Sequence, residues 1–95
     1  NHILTLKGAI MPEIIVYSGP NCPYCVHVKA LFTKKGAAFK EINVRTNAAE
    51  REEMIAKTGG KHTIPQVFID GVYIGDDDAI DALNAAGKLD ALLGV

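Results

Sequence analysis

Two cysteines separated by two residues are the most reactive feature of this chain. Cys22 and Cys25 lie in a Cys-Pro-Tyr-Cys segment and are the only cysteines among the 95 residues. Thiols at this spacing can close a small disulfide ring, so the pair can be oxidised and reduced reversibly. At a helix start, unpaired N–H groups and the helix dipole stabilise a thiolate and lower the thiol pKa to about 3.5–7.5. We therefore predict Cys22 as the nucleophile and Cys25, one helical turn further in, as the resolving thiol.

Other uses of such a cysteine pair fit the chain less well. A structural zinc site needs four ligands, and no second pair with metal-ligand spacing accompanies the cysteines, so we predict no metal site. Covalent haem attachment needs a histidine directly after the second cysteine, whereas Val26 separates Cys25 from His27. A pair of inert buried cysteines is disfavoured by the location of the pair at the predicted junction between a strand and a helix.

The elements that must position the cysteines alternate between strands and helices. The predicted strands cover residues 14–17, 39–44, 65–69 and 72–74, and the predicted helices cover residues 23–35, 47–57 and the region from 76 onward. Gly36 is placed to end the first helix, and Asn47 is a suitable N-cap for the second. Asp70-Gly71 is a strong hairpin signal, and Gly87 interrupts the last helical segment.

This order predicts an α/β fold with a four-stranded mixed sheet flanked by three or more helices. The long helical crossover makes the first two strands parallel, and the tight turn makes the last two antiparallel. The domain is predicted to cover residues 11–95, because Met11 resembles a natural start. Residues 1–10 are interpreted as either an extension introduced by cloning or a native arm.

The composition excludes several classes of protein. Ten Lys and Arg residues against eleven Asp and Glu residues give a net charge of −1, which provides no general attraction to nucleic acid or acidic membranes. The chain has no run of about 18 apolar residues that could span a bilayer. We expect no nucleic-acid or membrane partner, a monomer, and, with no export signal visible, a cytoplasmic location.

A second feature is the Thr-Ile-Pro segment at residues 63–65. If the bond before Pro65 is cis, the turn brings the backbone of Ile64 beside the cysteines, where an extended peptide could pair with it. The alternative is an ordinary proline at the start of a strand. The residues alone favour neither interpretation.

Taken together, three segments resemble the glutaredoxins of the dithiol class. These are Cys-Pro-Tyr-Cys at residues 22–25, Thr-Ile-Pro-Gln-Val-Phe-Ile at 63–69, and Ile-Gly followed by an aspartate at 74–78. A fourth segment, Asn-Ala-Ala at 47–49 followed by Arg-Glu-Glu-Met at 51–54, is similar to the bacterial members in particular. The resemblance runs from about residue 13 to residue 93. It implies a thioredoxin fold, no bound cofactor, glutathione as co-substrate, and disulfide-containing proteins as partners.

The resemblance also implies roles for individual residues. Cys22 attacks the substrate disulfide and Cys25 resolves the mixed disulfide. Pro65 is the expected cis proline, and Arg51 and Gln66 match positions that can meet the glycine carboxylate of glutathione. The remaining residues of the implied glutathione groove are Tyr24, Thr63, Ile64, Asp77 and Asp78.

The chain departs from the usual glutaredoxin pattern at the groove. Gly19 stands where many members have a lysine, Asp76 replaces the second glycine of a Gly-Gly pair, and Ala79 replaces an acidic residue. Three adjacent carboxylates oppose the γ-glutamyl carboxylate of glutathione at the helix N-terminus. We expect weakening by about 1 kcal/mol or less, since exposed charges have small effects.

The predicted activity is glutathione-dependent reduction of protein disulfides and glutathione-mixed disulfides. One alternative is a protein of the same shape that is reduced by thioredoxin reductase, which the departures at Gly19 and Asp76 permit. Another is an iron–sulfur cluster carrier with Cys22 as a cluster ligand. Pro23 disfavours this second alternative, because cluster-binding relatives usually have a smaller or less rigid residue there.

Overall fold

The computed structural model describes residues 11–95. The predicted extension at residues 1–10 lies outside the described residues. The strands are β1 (Ile14–Ser18), β2 (Lys40–Asn43), β3 (Gln66–Ile69) and β4 (Val72–Gly75), and the helices are α1 (Pro23–Lys34), α2 (Ala48–Lys57), α3 (Asp77–Ala85) and α4 (Leu89–Leu93). No helix within residues 11–95 is long and apolar enough to cross a membrane.

The strands form one mixed sheet in the order β2-β1-β3-β4, which confirms the predicted sheet. β1 is parallel to β2 and antiparallel to β3, and β3 is antiparallel to β4. The β3–β4 turn has positive φ at both central residues, 51° at Asp70 and 79° at Gly71, as a two-residue hairpin requires. β3 begins at Gln66 rather than Pro65 because proline has no N–H to donate to the ladder.

Each face of the sheet packs against its own helices, because successive side chains of a strand point to opposite faces. The first cluster joins β1 and β3 to α1, α3 and α4, and its buried members are Ile14, Val16, Val28, Phe32, Ala37, Val67, Ile69, Ile80, Leu89 and Leu93. The second cluster joins the other face to α2, and its buried members are Tyr17, Val44, Met54 and Phe68. The segment from β1 into α1 is therefore built on a rigid support.

Local signals set the helix boundaries. The Asn47 side chain accepts a hydrogen bond from the Glu50 N–H at 3.1 Å, which confirms Asn47 as the N-cap of α2. Gly87, with φ of 73°, separates α3 from α4 where the sequence predicts an interruption. Gly36, with φ of 79°, likewise follows the end of α1.

A polar network ties α1 to β1 and β2. The Glu41 carboxylate accepts hydrogen bonds from the buried Ser18 hydroxyl and, at 2.7 Å, from Lys29 Nζ. The hydrogen bond from Lys29, followed by that from Ser18, lowers the pKa of Glu41 below its ordinary value of 4.5. Ser18 ends the strand that precedes Cys22, and Lys29 lies on the helix that follows it.

Replacing Glu41 with glutamine is expected to lower the free energy of unfolding at pH 7, by less than about 1 kcal/mol because the pair is partly exposed. A carboxyl whose pKa is lower in the folded state stabilises the fold above its unfolded pKa of about 4.5. This stabilisation is lost as the pH falls through the folded-state pKa. Urea unfolding of both proteins at pH 7 and pH 3 checks this, and a difference that grows on acidification would contradict it.

Candidate active site

The cysteines stand at the junction between β1 and α1. Cys22 is the N-cap of α1, and Pro23 occupies its first turn, where the missing N–H costs no helical hydrogen bond. The two cysteines are joined in a disulfide with their Cα atoms 5.2 Å apart. Cys22 Sγ accepts a hydrogen bond from the Cys25 N–H at 3.1 Å. The first turn of α1 contains no acidic residue, so no side chain of that turn opposes the effect of the helix dipole on a Cys22 thiolate.

The two cysteines differ in their exposure to solvent. Cys22 keeps 6% of its surface exposed, whereas Cys25 is completely buried. An incoming disulfide can therefore reach Cys22 first, and Cys25 can react only with a sulfur already bound to Cys22. This order agrees with the predicted nucleophile and resolving thiol.

The Ile64–Pro65 peptide bond is cis. This is the first of the two interpretations that the residues left open. The carbonyl oxygen of Ile64 lies 3.8 Å from Cys22 Sγ. The backbone before Pro65 is thus adjacent to the reactive sulfur, where an extended substrate segment could pair with it. Pro65 itself is fully buried.

The sheet topology brings all these parts to one edge. β1, β2 and β4 run in the same direction, so their carboxyl ends meet at the edge where β3 begins. A cleft of about 790 Å³ opens at this edge. It is lined by Asn21, Cys22, Pro23, Tyr24, Val44, Arg45, Arg51, His62, Thr63, Ile64, Asp76, Asp77 and Asp78.

The charges of the cleft are arranged by the same topology. Arg45 and Arg51 follow β2, whereas Asp76, Asp77 and Asp78 follow β4, and β2 and β4 are the two outer strands of the sheet. The cationic side chains therefore lie on one side of the cysteines, and the carboxylates lie on the other side. Such a cleft suits a small ligand with a carboxylate at one end and an ammonium group at the other.

The carboxylates of the acidic side influence each other. Asp76 is the N-cap of α3, and its Oδ1 accepts a hydrogen bond from the Ala79 N–H at 3.1 Å. Partial burial raises the pKa of Asp77, and repulsion from Asp78, Asp76 and Asp81 acts in the same direction. An ammonium group near Asp77 would relieve this repulsion.

Comparison with known proteins identifies the family. The glutaredoxin family profile matches residues 14–74. Glutaredoxin 3 of Escherichia coli strain K12 is 48% identical over 83 residues, which cover 87% of this chain and 99% of that protein. Glutaredoxin 1 of Rickettsia conorii is 46% identical over 89 residues, covering 93% and 87% of the two chains. The chain belongs to the glutaredoxin family.

The fold agrees with solved glutaredoxins. The crystal structure of a buckwheat glutaredoxin–glutathione complex matches with a TM-score of 0.80 and 29% identity, covering 97% of this chain and 86% of that one. The fold is therefore the thioredoxin fold, as the resemblance implied. The protein is a thiol–disulfide oxidoreductase of this family.

Most of the site residues predicted from the sequence come together in this glutaredoxin. Those that line the cleft are Cys22, Tyr24, Arg51, Thr63, Ile64, Asp77 and Asp78. The Tyr24 side chain stands beside the nucleophile and is 63% exposed, as a residue that contacts substrate requires. Cys25 and Pro65 lie beneath the cleft surface, in positions that fit a resolving thiol and a backbone support.

Gln66 lies beneath the cleft and not on its lining. It is fully buried, and its amide nitrogen donates to the Thr63 carbonyl at 3.0 Å and to Thr63 Oγ1 at 3.2 Å. Its amide oxygen accepts from the Tyr73 hydroxyl at 2.6 Å. Because both ends of the amide are engaged inside the protein, Gln66 supports Thr63, and its contact with a ligand carboxylate stays a prediction. Burial, and then the Asp76 carboxylate, raises the pKa of Tyr73, so its hydroxyl stays protonated and donates to Gln66.

Replacing Gln66 with leucine is expected to lower the free energy of unfolding by about 1–2 kcal/mol, because Thr63 and Tyr73 lose their partner. It should also raise the KM for disulfide substrate with a smaller change in kcat. Tyr73→Phe is the matched control, which removes one hydrogen bond and should show a weaker version of both effects. Weakened substrate binding with unchanged stability, and no effect of Tyr73→Phe, would instead indicate direct contact with the ligand.

Two further residues, Arg45 and His62, line the cleft although neither belongs to a recognisable motif. His62 is exposed and lines the cleft. Arg45 lies far from either motif in the chain, and only the common edge of β1 and β2 brings it close to Cys22. The one available signal was Gly19, whose lack of a side chain leaves room that another residue can fill.

Proposed function

We propose that this glutaredoxin uses glutathione to reduce protein disulfides and glutathione-mixed disulfides. The observation that carries the proposal is that Cys22, the accessible sulfur, opens onto a cleft with cations on one side and carboxylates on the other. Glutathione has a carboxylate alone at its glycine end and an ammonium group beside a carboxylate at its γ-glutamyl end. Its central thiol would thus be presented to Cys22 with both ends matched in charge.

The first chemical step is a thiol–disulfide exchange at Cys22. The Cys22 thiolate attacks one sulfur of the substrate disulfide, a new S–S bond forms, and the other substrate sulfur leaves as a thiolate that takes a proton from solvent. The N–H of Cys25 and the start of α1 stabilise the Cys22 sulfur whenever it carries negative charge.

The second step depends on the substrate. When a protein is bound through a mixed disulfide, the Cys25 thiolate attacks Cys22 Sγ, the internal disulfide forms, and the reduced protein leaves. Two glutathione molecules then return the pair to the dithiol and leave as glutathione disulfide. A glutathione-mixed disulfide needs only Cys22, because a second glutathione can attack glutathione bound to Cys22.

The groove residues would hold glutathione in this reaction. Thr63 and Ile64 would pair with its extended backbone, Tyr24 would cover one wall, and Arg51 would meet the glycine carboxylate. Asp77 and Asp78 would face the γ-glutamyl ammonium group at the start of α3, where the N–H groups of the helix favour the neighbouring carboxylate. The acidic triplet at residues 76–78 also supports a weaker affinity than a groove with fewer carboxylates would give.

We also propose where this activity takes place and what it serves. We place the protein in the cytoplasm as a monomer, where glutathione keeps thiols reduced and structural disulfides are rare. Its role there would be electron transfer from glutathione to oxidised proteins, and so the maintenance of the cellular thiol balance.

The decisive experiment measures reduction of a glutathionylated peptide with glutathione, glutathione reductase and NADPH. Turnover at micromolar enzyme supports the proposal. Failure in this system, with turnover when thioredoxin reductase supplies the electrons, would select the reductase-coupled alternative. Visible absorption after anaerobic reconstitution with iron and sulfide, without turnover in either system, would select the cluster carrier.

A further inference from the structure

Arg45 and Gly19 form a unit beside the nucleophile. A Cβ atom built on Gly19 would lie 2.8 Å from Arg45 Cγ and 2.9 Å from Arg45 Cδ, so the arginine stem occupies the space above the glycine. Gly19 is not among the residues with positive φ. A side chain at this position would therefore have to displace the Arg45 stem, and its Cβ would also come within 3.2 Å of Ile64 Cδ1, whereas the backbone conformation does not demand glycine.

The loop that carries Arg45 is held at several points. The Val44 N–H donates to the Ser18 carbonyl at 2.9 Å. Asn43 Oδ1 accepts from the N–H of Arg45 at 2.9 Å and from that of Thr46 at 3.3 Å. These bonds fix the backbone of Arg45 before any ligand arrives, which lowers the entropy cost of binding through its side chain.

The guanidinium group of Arg45 is held at the cleft with donors to spare. One of its terminal nitrogens donates to the Pro20 carbonyl, two residues before Cys22. A guanidinium has five N–H donors in a planar fork that matches a carboxylate. The ion pairs found within residues 11–95 do not include Arg45. The positive charge of Arg45 therefore faces the cleft, and the carboxylates of Asp76 to Asp78 lie on the other side of that cleft.

We propose that Arg45, positioned by Gly19, is a specificity-determining residue that binds the glycine carboxylate of glutathione together with Arg51. This inference rests on the proposed function. The glycine end of glutathione carries a carboxylate without an ammonium group, so it fits the cationic side of the cleft. The γ-glutamyl end, which carries the ammonium group, fits the acidic side. Arg45 thereby restores a cation near Cys22 that Gly19 cannot provide.

The test compares two substrates that differ only at this carboxylate. A fluorescent peptide is linked by a mixed disulfide either to glutathione or to its glycine monoethyl ester, and its release by the pre-reduced protein is followed in a single turnover. Arg45→Ala is expected to slow release from the glutathione substrate about five- to tenfold. It should slow release from the ester less than twofold. Lys34→Ala removes the same charge from an exposed site on α1 and should leave both rates within twofold of the original.

Two further variants separate recognition from structural damage. Arg45→Lys keeps the charge and is expected to recover part of the preference for glutathione over the ester. Gly19→Ala must displace the Arg45 stem, so it should reduce the preference about threefold alone and have no further effect in the Arg45→Ala background.

The outcomes distinguish the inference from the proposed function. Equal losses on both substrates would overturn the inference and show that Arg45 acts on the Cys22 thiolate. If Arg45→Ala releases the peptide from the glutathione mixed disulfide at an unchanged rate, the inference is also overturned. The proposed glutathione-dependent function would then still stand. If the unsubstituted protein reduces other disulfides but neither mixed disulfide, the proposed function fails and the inference fails with it.

Discussion

Replacing Cys22 with serine is expected to lower turnover by at least about 10³-fold on both protein disulfides and glutathione-mixed disulfides. A serine hydroxyl is scarcely ionised at neutral pH, so it cannot attack a disulfide. The fold should survive, because serine is itself a good N-cap and can accept the Cys25 N–H hydrogen bond that Cys22 Sγ accepts. Turnover is measured by NADPH consumption with glutathione and glutathione reductase, and folding by circular dichroism against the reduced original protein.

Cys25→Ser is the matched variant for the second thiol. It should retain reduction of glutathione-mixed disulfides, which needs one thiol, and lose reduction of protein disulfides. A covalent complex between Cys22 and the protein substrate should then accumulate and be visible by mass spectrometry. The completely buried Cys25 can act only on a sulfur already attached to Cys22. Retained turnover in Cys22→Ser, with complete loss in Cys25→Ser, would show that the two roles are reversed.

Replacing Phe32 with alanine is expected to lower the free energy of unfolding by about 3–5 kcal/mol. Phe32 is fully buried in the cluster between α1 and the sheet, and its ring meets that of Phe39 edge to face at 5.9 Å. The loss combines the transfer of a large apolar side chain with a cavity that the rigid sheet cannot close. Since domains of this size are stable by only about 5–15 kcal/mol, the variant should be close to unfolding.

Val26→Ala is the control for Phe32→Ala. Val26 lies on the same helix but is 61% exposed, so its truncation should change the free energy of unfolding by no more than about 0.5 kcal/mol. Urea unfolding of the oxidised proteins measures both changes without altering the disulfide. If Phe32→Ala lowers the free energy of unfolding as little as Val26→Ala does, the packing of α1 on the sheet contributes little. α1 could then not provide the rigid support proposed for the cysteines.

The local features of the site follow from neighbouring residues and were predictable. Three of these features depend on the backbone preferences of a few residues. They are Cys22 at a helix start, Pro23 in the first turn of α1, and the two-residue hairpin at Asp70-Gly71. From these signals the parallel and antiparallel strand pairs could be derived before the structure was known.

The surroundings of the cysteines depend on residues that are distant in the chain. Gln66 matched a ligand-binding position by its place in a motif, but its amide is engaged with Thr63 and Tyr73 inside the protein. Arg45 carried no motif and yet lines the cleft. Neither outcome can be read from a linear pattern, because each depends on which side chains the sheet order brings within hydrogen-bond distance.

The sequence by itself determined the reactive pair, its place at a helix start, the strand order along the chain and the family. Those properties arise from residue types at short spacing, where backbone geometry leaves few choices. The tertiary structure alone decided that cations and carboxylates face each other across the cleft, and that Arg45 fills the space above Gly19. Charge arrangement and filled space are properties of packed surfaces, and they exist only once separate strands end at a common edge.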